Sequence, residues 1–477
     1  MKVGRIGGAA ALICVLAGLA ANVAGAAPRA NILGVVPPRG APAATLGTTA
    51  SHQLVYHGGS VLRTTRTYAI YWTPSGYSFP SIYRTVLDGY FQNVARASGD
   101  WMNVYDVNSE YYDTTGPISS VSTFGGSTVD TAPLPARDAA CTASTPACIT
   151  DAQLRAEIVK VAAARGWART STSLFFMFTP SGVGSCFSAV GGCSYSYYCA
   201  YHGYANDASG SLLYANQPWV DVYGCRTGAA PNGDVAADAA INVVSHEHNE
   251  SITDPYGTGW YDANGQENGD LCAWQMGAQL GWTATGAYNQ VIGKGKYWLQ
   301  QEWSNAGGGC VQRIAAPTPT LGPLAPAPVA VGATVTVNGT SLTGATSVKV
   351  HGVAAQFTVD TPARLYLKVP AGSTTGAVTV TTPGGTVSSA TVLNVIPVPT
   401  ISAVGPASAK VGKWAGAAGT NFSGVTSVKV SGLAAQFILA SPSLVYFKVP
   451  AGATTGKVTV TTPGGTATST GNLTVTP

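Results

Sequence analysis

Charge is scarce in this chain: only 10% of its 477 residues are Asp, Glu, Lys or Arg, and glutamate and histidine occur six times each. The formal net charge is +4. So small an excess, without basic runs, excludes recognition of nucleic acid or of an anionic membrane surface through charge. Beyond the first 26 residues no apolar run approaches the roughly 18 residues that a membrane-spanning helix needs. There is no Gly-x-Ser-x-Gly elbow and no phosphate-cradling glycine loop, so serine hydrolysis and nucleotide chemistry have no sequence support.

What is present begins with a leader. Lys2 and Arg5 precede an apolar stretch that ends in Ala24-Gly25-Ala26, the layout of a secretory signal peptide over residues 1–26. Its removal would lower the net charge to +2 and take Cys14 away. Eight cysteines then remain, Cys141, Cys148, Cys186, Cys193, Cys199, Cys225, Cys272 and Cys310. An even number in an exported protein favours disulfides over zinc thiolates, although eight cysteines permit 105 pairings. Short loops, Cys141 with Cys148 and Cys186 with Cys193, are the simplest guess. A secreted, extracellular protein is expected. Residues 27–50 are rich in Pro, Ala and Gly and read as a linker or short propeptide.

The C-terminal third repeats with a period of 80 residues: TSVKVHGVAAQF at 346–357 returns as TSVKVSGLAAQF at 426–437, and KVPAGSTTGAVTVTTPGGT at 368–386 as KVPAGATTGKVTVTTPGGT at 448–466. Short alternating Val/Thr runs broken by Pro and Gly turns predict a small antiparallel sandwich in each copy. The Val-Pro-Ala-Gly and Thr-Pro-Gly-Gly elements resemble those of IPT/TIG domains of the immunoglobulin-like class, over 316–396 and 397–477. These modules hold no glutamate, one aspartate (Asp360) and one histidine (His351), so they read as spacers or as binding modules for a glycan or protein ligand.

Between them and residue 50 the pattern predicts an α+β domain over 51–315. Strands are expected at Thr67–Thr73 and Ser173–Thr179 and a helix at Tyr83–Arg96. A second helix, Asp151–Gly166, has Thr150 and Gln153 in capping-box positions and a terminal glycine.

The chemistry is concentrated in Ser-His-Glu-His-Asn-Glu at 245–250, which places two of the six histidines and two of the six glutamates within five positions. Asp234 can cap a helix running from Val235 to Thr253, and Pro255 stops it. His246 and Glu250, four apart, share a face opposite Val244 and Ile252, so an apolar flank would pack while a polar flank faces a cleft. A merely solvated surface is the plain alternative, but carboxylates so rare elsewhere argue against it. The pattern differs from the His-Glu-x-x-His of zinc peptidases by having Glu250 as its second ligand. A second carboxylate would make the ion less electrophilic and admits another divalent metal. Glu247 is placed to be the general base, and His248 points elsewhere, to a supporting or surface role. Glu267 and Asp270, 17 and 20 residues after Glu250, are both candidates for the remaining ligand. Asp254, before Pro255, reads as a turn residue, and His57 and His202 as structural.

Tyr56-His57-Gly58-Gly59, Cys199-Ala200-Tyr201-His202-Gly203, Ala230-Pro231-Asn232-Gly233-Asp234-Val235, Thr253-Asp254-Pro255, Ala287-Tyr288-Asn289 and Cys310 together resemble, in order, the exordium or phosphate-induced protein family. That resemblance implies an extracellular protein with no established catalysis. The plant members lack the His-Glu pair, whereas bacterial relatives with this helix resemble metallopeptidases. The expectation is a secreted zinc-dependent endopeptidase acting on a protein or peptide substrate, with Glu247 as base and His246, Glu250 and Glu267 or Asp270 as metal ligands. A non-catalytic wall or matrix binding protein is the competing expectation.

Overall fold

The computed structural model describes residues 32–40, 53–188, 192–207, 210–325 and 327–477. The leader and the remainder of 27–50 lie outside these.

The N-terminal domain is organised by six strands: β1 Ile32–Val36, β2 Thr64–Trp72, β3 Val121–Asp130, β4 Ser173–Phe178, β5 Ala200–Asp207 and β6 Gly210–Gln217. They lie side by side in the order β1-β5-β6-β4-β2-β3. The four strands β6-β4-β2-β3 are mutually parallel, whereas β5 and β1 are added antiparallel at one edge. Parallel neighbours need crossovers, and helices supply them: α1 (Tyr83–Arg96) connects β2 to β3, and α2 (Asp151–Arg165) precedes β4.

Both faces are consequently covered. Leu174, Phe176 and Phe178 of β4 join the core beneath α1 and a third helix, α3 (Val235–Thr253), while Phe175 and Met177 turn to the core beneath α2. That two-sided burial is why β4 reads as an uninterrupted apolar run and not as an alternation. The domain is thus a helix–sheet–helix sandwich. The expected α+β segregation is corrected by the parallel centre, whose crossover helices fall between strands.

Local chemistry fixes the helix ends. The Thr150 hydroxyl accepts from Gln153 N–H while the Gln153 side chain accepts from Thr150 N–H, and Gly166 closes α2 at φ 65°. Asp234 accepts from Ala236 and Ala237 N–H at 3.0 Å each and so caps α3. Asp254, immediately after α3, accepts from Thr258 and Gly259 N–H at 2.7 Å, forming the expected turn.

The segment read as linker or propeptide contains a strand that its composition did not announce. Ile32–Val36 is strand β1, with Val36 fully buried. Pro and Gly around it disguised a short strand whose partner lies some 165 residues away in sequence. Four disulfides, Cys141–Cys148, Cys186–Cys193, Cys199–Cys225 and Cys272–Cys310, tie the loops of this domain.

From residue 319 onward the chain forms two sandwiches, each of two four-stranded sheets with an apolar core; Val337, Leu365 and Val380 centre the first, Ala417, Val445 and Val460 the second. No described helix is long and apolar enough to cross a membrane.

Candidate metal centre

Helix α3 runs beneath β1, β5 and β6 and is enclosed on every side, so His246, Glu247, His248, Asn249 and Glu250 all have no exposed surface. The expected cleft-facing polar flank is therefore corrected: the polar side of α3 faces other buried polar groups. A surface role for His248 is excluded as well. Its ring nitrogens lie 3.1 Å from Thr65 Oγ1 and 3.1 Å from Tyr105 Oη, and burial pulls its pKa down to about 3, which keeps the ring neutral.

Glu250 is the centre of the polar cluster. Its Oε1 lies 2.9 Å from His246 Nε2 and accepts from the Asp270 backbone N–H at 2.8 Å, while Oε2 lies 3.6 Å from His202 Nδ1. Asp270 closes one side, with Oδ1 3.5 Å from His246 Nε2. Glu247 and Glu267 close the other: Glu247 Oε2 is 3.1 Å from His202 Nδ1, and Glu267 Oε1 is 3.8 Å from His202 Nε2. Two groups of ligand atoms result, each within 4.8 Å, His246–Glu250–Asp270 and His202–Glu247–Glu250.

The structure therefore brings together every residue proposed from the sequence and separates the two downstream carboxylates. Asp270 stands with His246 and Glu250, Glu267 with His202. The sequence reading missed His202, treated there as structural. Strand alternation aims it: Ala200 and His202 share the α3 side of β5 while Tyr201 packs under α2. The Cys199–Cys225 disulfide holds the start of that strand. Its closeness to a cysteine in the Cys-Ala-Tyr-His-Gly motif was the available signal.

Electrostatics make the cluster unusual. Among the described residues no lysine or arginine forms an ion pair with Glu247, Glu250, Glu267 or Asp270. Burial pushes the Glu247 pKa up to about 7 against the opposing pull of His202 and His246. Burial likewise raises Glu267 and Asp270, helped by neighbouring carboxylates. For Glu250 burial is outweighed by the His246 and His202 imidazoles, which hold it at about 2. Both rings are driven the other way: despite burial, Glu267 and Glu247 around His202, and Glu250 and Asp270 around His246, raise them well above the ordinary imidazole value. Glu302 adds another buried carboxylate, 3.3 Å from Asn249 Nδ2.

Several ligand-type atoms are buried with no hydrogen-bond partner: His202 Nε2, His246 Nδ1, Glu247 Oε1, Glu250 Oε2 and Glu267 Oε2, while His246 Nε2 has only its close ionic contact with Glu250 Oε1. Buried polar atoms rarely stay unsatisfied, and buried like charges rarely stay uncompensated. An imidazole-and-carboxylate set of this kind fits a divalent cation such as zinc, which would compete with protons for the same lone pairs.

Comparison with known proteins addresses the other end of the chain. Residues 319–394 and 399–477 match the model of the IPT/TIG domain. Both are IPT/TIG domains. No family model matches the domain that carries the cluster, and no curated protein matches the chain. Among solved structures, SGBP-B from a xyloglucan utilization locus in Bacteroides uniformis is similar at 21% identity over 33% of this chain and 50% of that one, with a TM-score of 0.17. The surface glycan-binding protein PbSGBP-B of Prevotella bryantii gives 16% identity over 34% and 43%, TM-score 0.18. A putative phosphatase of Bacteroides thetaiotaomicron gives 26% over 16% and 18%, TM-score 0.16. The chain thus spans about half the length of the first of these.

The IPT/TIG domains contribute nothing to the cluster. Their one histidine, His351, is exposed and bonds Thr374 within its own domain. The sulfurs of Cys141, Cys148 and Cys186 also lie close together, but each is consumed in a disulfide and so is no thiolate ligand. His57, the other histidine of the motifs, is stacked on Tyr261 at 3.5 Å and exposed, well away from the cluster in role.

Proposed function

We propose that the chain is a secreted, metal-dependent peptidase whose cation is held by His246, Glu250 and Asp270, with Glu247 as general base. The observation that carries this reading is the buried set of imidazole and carboxylate groups around Glu250, several of whose atoms lack a hydrogen-bond partner, with no lysine or arginine paired to it among the described residues. Zinc is the ion favoured, and the carboxylate-rich set admits manganese or another divalent metal.

When bound, such an ion supplies an acidified water and polarises the scissile carbonyl. The protein's own part is proton handling. Glu247 is anchored through Oε2 at His202 Nδ1, which leaves Oε1 free to take a proton from the nucleophile and later give it to the departing amine. His202 orients Glu247, and Glu267 stands beside the same ring, its Oε1 3.8 Å from His202 Nε2.

The test combines metal analysis of the purified full chain with cleavage of an unfolded protein substrate, comparing wild type and Glu247→Ala. We expect close to one equivalent of metal in both, and cleavage lowered on the order of 10²–10⁴-fold in the variant. Cleavage retained by Glu247→Ala would remove the residue from the mechanism. A wild-type protein without metal and without cleavage would favour the second reading.

That second reading is a non-catalytic extracellular binding protein. One observation favours it: the second IPT/TIG domain exposes Trp414, Ile438 and Tyr446 on adjacent strands of one sheet. The first domain has Thr334, Thr358 and Tyr366 at the matching positions, 80 residues earlier. An aromatic face of this kind is able to stack on a sugar ring or dock an apolar protein surface.

A further inference from the structure

The metal cluster has its own chain lying across it. Strand β1 pairs antiparallel with β5, Val35 opposite Tyr201 and Val36 opposite Ala200, and the register slips between Ile32 and Val35. Gly34 sits in that slip, against the cluster. Its N–H donates to Glu267 Oε1 at 3.2 Å. A Cβ at this position would overlap Glu250 Oε2 and stand 2.7 Å from Glu250 Cδ and 2.9 Å from His202 Cε1. Only a residue without a side chain fits between the strand and these two groups.

Three facts bear on what this segment is doing. With β1 in place Glu247, Glu250, His246, His202 and Glu267 are at most 3% exposed and the Asp270 side chain 12%, too little for a polypeptide substrate to reach the group. The segment arrives from the N-terminal end of the chain and occupies the outermost position of the sheet, so the sheet behind it, β5 through β3, is continuous without it. Its contacts are also those an extended peptide makes: main-chain pairing to a strand edge, one amide donated to a site carboxylate, and short anchors beyond. Cys199 N–H donates to Val36 O at 2.7 Å, Trp274 Nε1 to Pro37 O at 2.8 Å and Arg39 N–H to Gly224 O at 2.7 Å.

We infer that β1 is a substrate-like inhibitory strand, and that the substrate of the uncovered site is an extended polypeptide that pairs with the edge of β5 and places a glycine against Glu250 and His202. The inference rests on the peptidase reading for its chemistry, but the peptide site it describes is detectable without any cleavage. Strand addition to an open edge supplies affinity through main-chain hydrogen bonds, and the lack of room beside Glu250 supplies selection for glycine. A bound peptide of this kind is already extended and ordered within the same chain. Its effective concentration is therefore high, and the covered state dominates until the strand is displaced.

The experiment uses the full chain with Gly34→Leu, whose side chain has no space beside Glu250 and lifts β1 from the site. A fluorescently labelled peptide with the sequence of residues 32–40, ILGVVPPRG, is titrated into wild type and variant and followed by anisotropy. We expect the peptide to bind the variant at least 10-fold more tightly than wild type, and a control peptide with leucine in place of the glycine to bind at least 10-fold more weakly than ILGVVPPRG. Equal binding of the two peptides, or no binding to a folded variant, overturns the inference. Because Gly34→Leu can instead prevent folding, hydrogen exchange on the wild type gives a second reading. Amides of Val35, Val36 and the β5 edge should open well before those of β4 and β2. Exchange of β1 only together with the whole domain would show a permanent strand and also overturns the inference. Cleavage is recorded in parallel: a variant that binds ILGVVPPRG and holds metal yet hydrolyses nothing leaves the strand site standing and removes the peptidase reading alone.

Discussion

The two ends of this chain handle charge in opposite ways. All but one of its 21 acidic residues lie before the IPT/TIG domains, and four of them converge with two imidazoles, all buried except Asp270, whose side chain is 12% exposed. The IPT/TIG pair buries only hydroxyl groups such as Ser373, Thr382 and Ser469 among its polar side chains. Its apolar cores, without disulfides, suffice for its stability. The N-terminal domain has a larger apolar core together with four disulfides, and yet it buries a cluster that opposes folding. A domain that bears so unfavourable a feature retains it for a function or neutralises it with a ligand, and the proposed cation does both.

The sharpest way to break this contrast is to take the cation away. Stripping metal with a chelator should leave the carboxylates of α3 and the 267–270 turn uncompensated. The cost is expected to be about 3–5 kcal/mol, a fall of the N-terminal unfolding transition on the order of 10 °C, with the IPT/TIG transitions unmoved. Calorimetry of the full chain with and without chelator reads this directly. If no transition shifts, the cluster is held by shared protons and not by a metal.

The reciprocal perturbation is Phe447→Ala. This ring is fully buried in the second IPT/TIG domain, so its loss should cost that domain about 3–5 kcal/mol. Metal content and the N-terminal transition should stay as in wild type, since distant sites add independently. Loss of metal in this variant would show that the two ends are energetically one unit.

Histidines sharpen the comparison next. His202→Ala should weaken metal binding by roughly 10–100-fold, the usual loss when a side chain orienting the ligand set is removed. His57→Ala, whose exposed ring stacks on Tyr261 and bonds its carbonyl at 3.2 Å, should leave metal affinity unchanged. Equal effects of the two substitutions would contradict the assignment of His202 to the cluster.

How much of this was legible beforehand differs between the same two regions. The IPT/TIG domains could be read because their information is local and written twice: alternating Val and Thr, turn residues at fixed offsets, and an 80-residue period. Helices α2 and α3 were equally clear, since caps and breakers sit next to the residues they control, and α1 showed in the helical spacing of its apolar residues. The half of the cluster on α3 followed from i to i+4 spacing. The rest depended on contacts between distant segments. His202 reaches Glu247 from a strand 45 residues earlier, and β1 pairs across an even longer gap, so no local pattern announces either. Parallel order in the sheet was hidden for the same reason. Burial of α3 beyond Val235 was masked by its own polar residues, because composition does not distinguish a helix wet on one face from one whose Asn249 meets Asn108 and Glu302 inside the protein.

The smallest expected effect concerns the histidine of the first IPT/TIG domain. His351 of the first IPT/TIG domain corresponds to Ser431 of the second, and both lie in left-handed turns, at φ 46° and 50°. Each makes the same bond to a threonine hydroxyl, His351 Nδ1 to Thr374 Oγ1 at 2.6 Å and Ser431 Oγ to Thr454 Oγ1 at 2.9 Å. His351→Ser should therefore change the stability of its domain by no more than about 0.5 kcal/mol, as is usual for an exposed position whose bond is preserved. His351→Gly forfeits that bond but relieves a left-handed backbone that costs other residues roughly 1 kcal/mol, so the two terms nearly cancel. Thermal unfolding of both variants tests this, and a large loss in either would mean that the imidazole itself is needed. An imidazole dispensable on the IPT/TIG surface and one indispensable beside Glu247 would show that enclosure among carboxylates, and not residue type, marks the functional histidines of this chain.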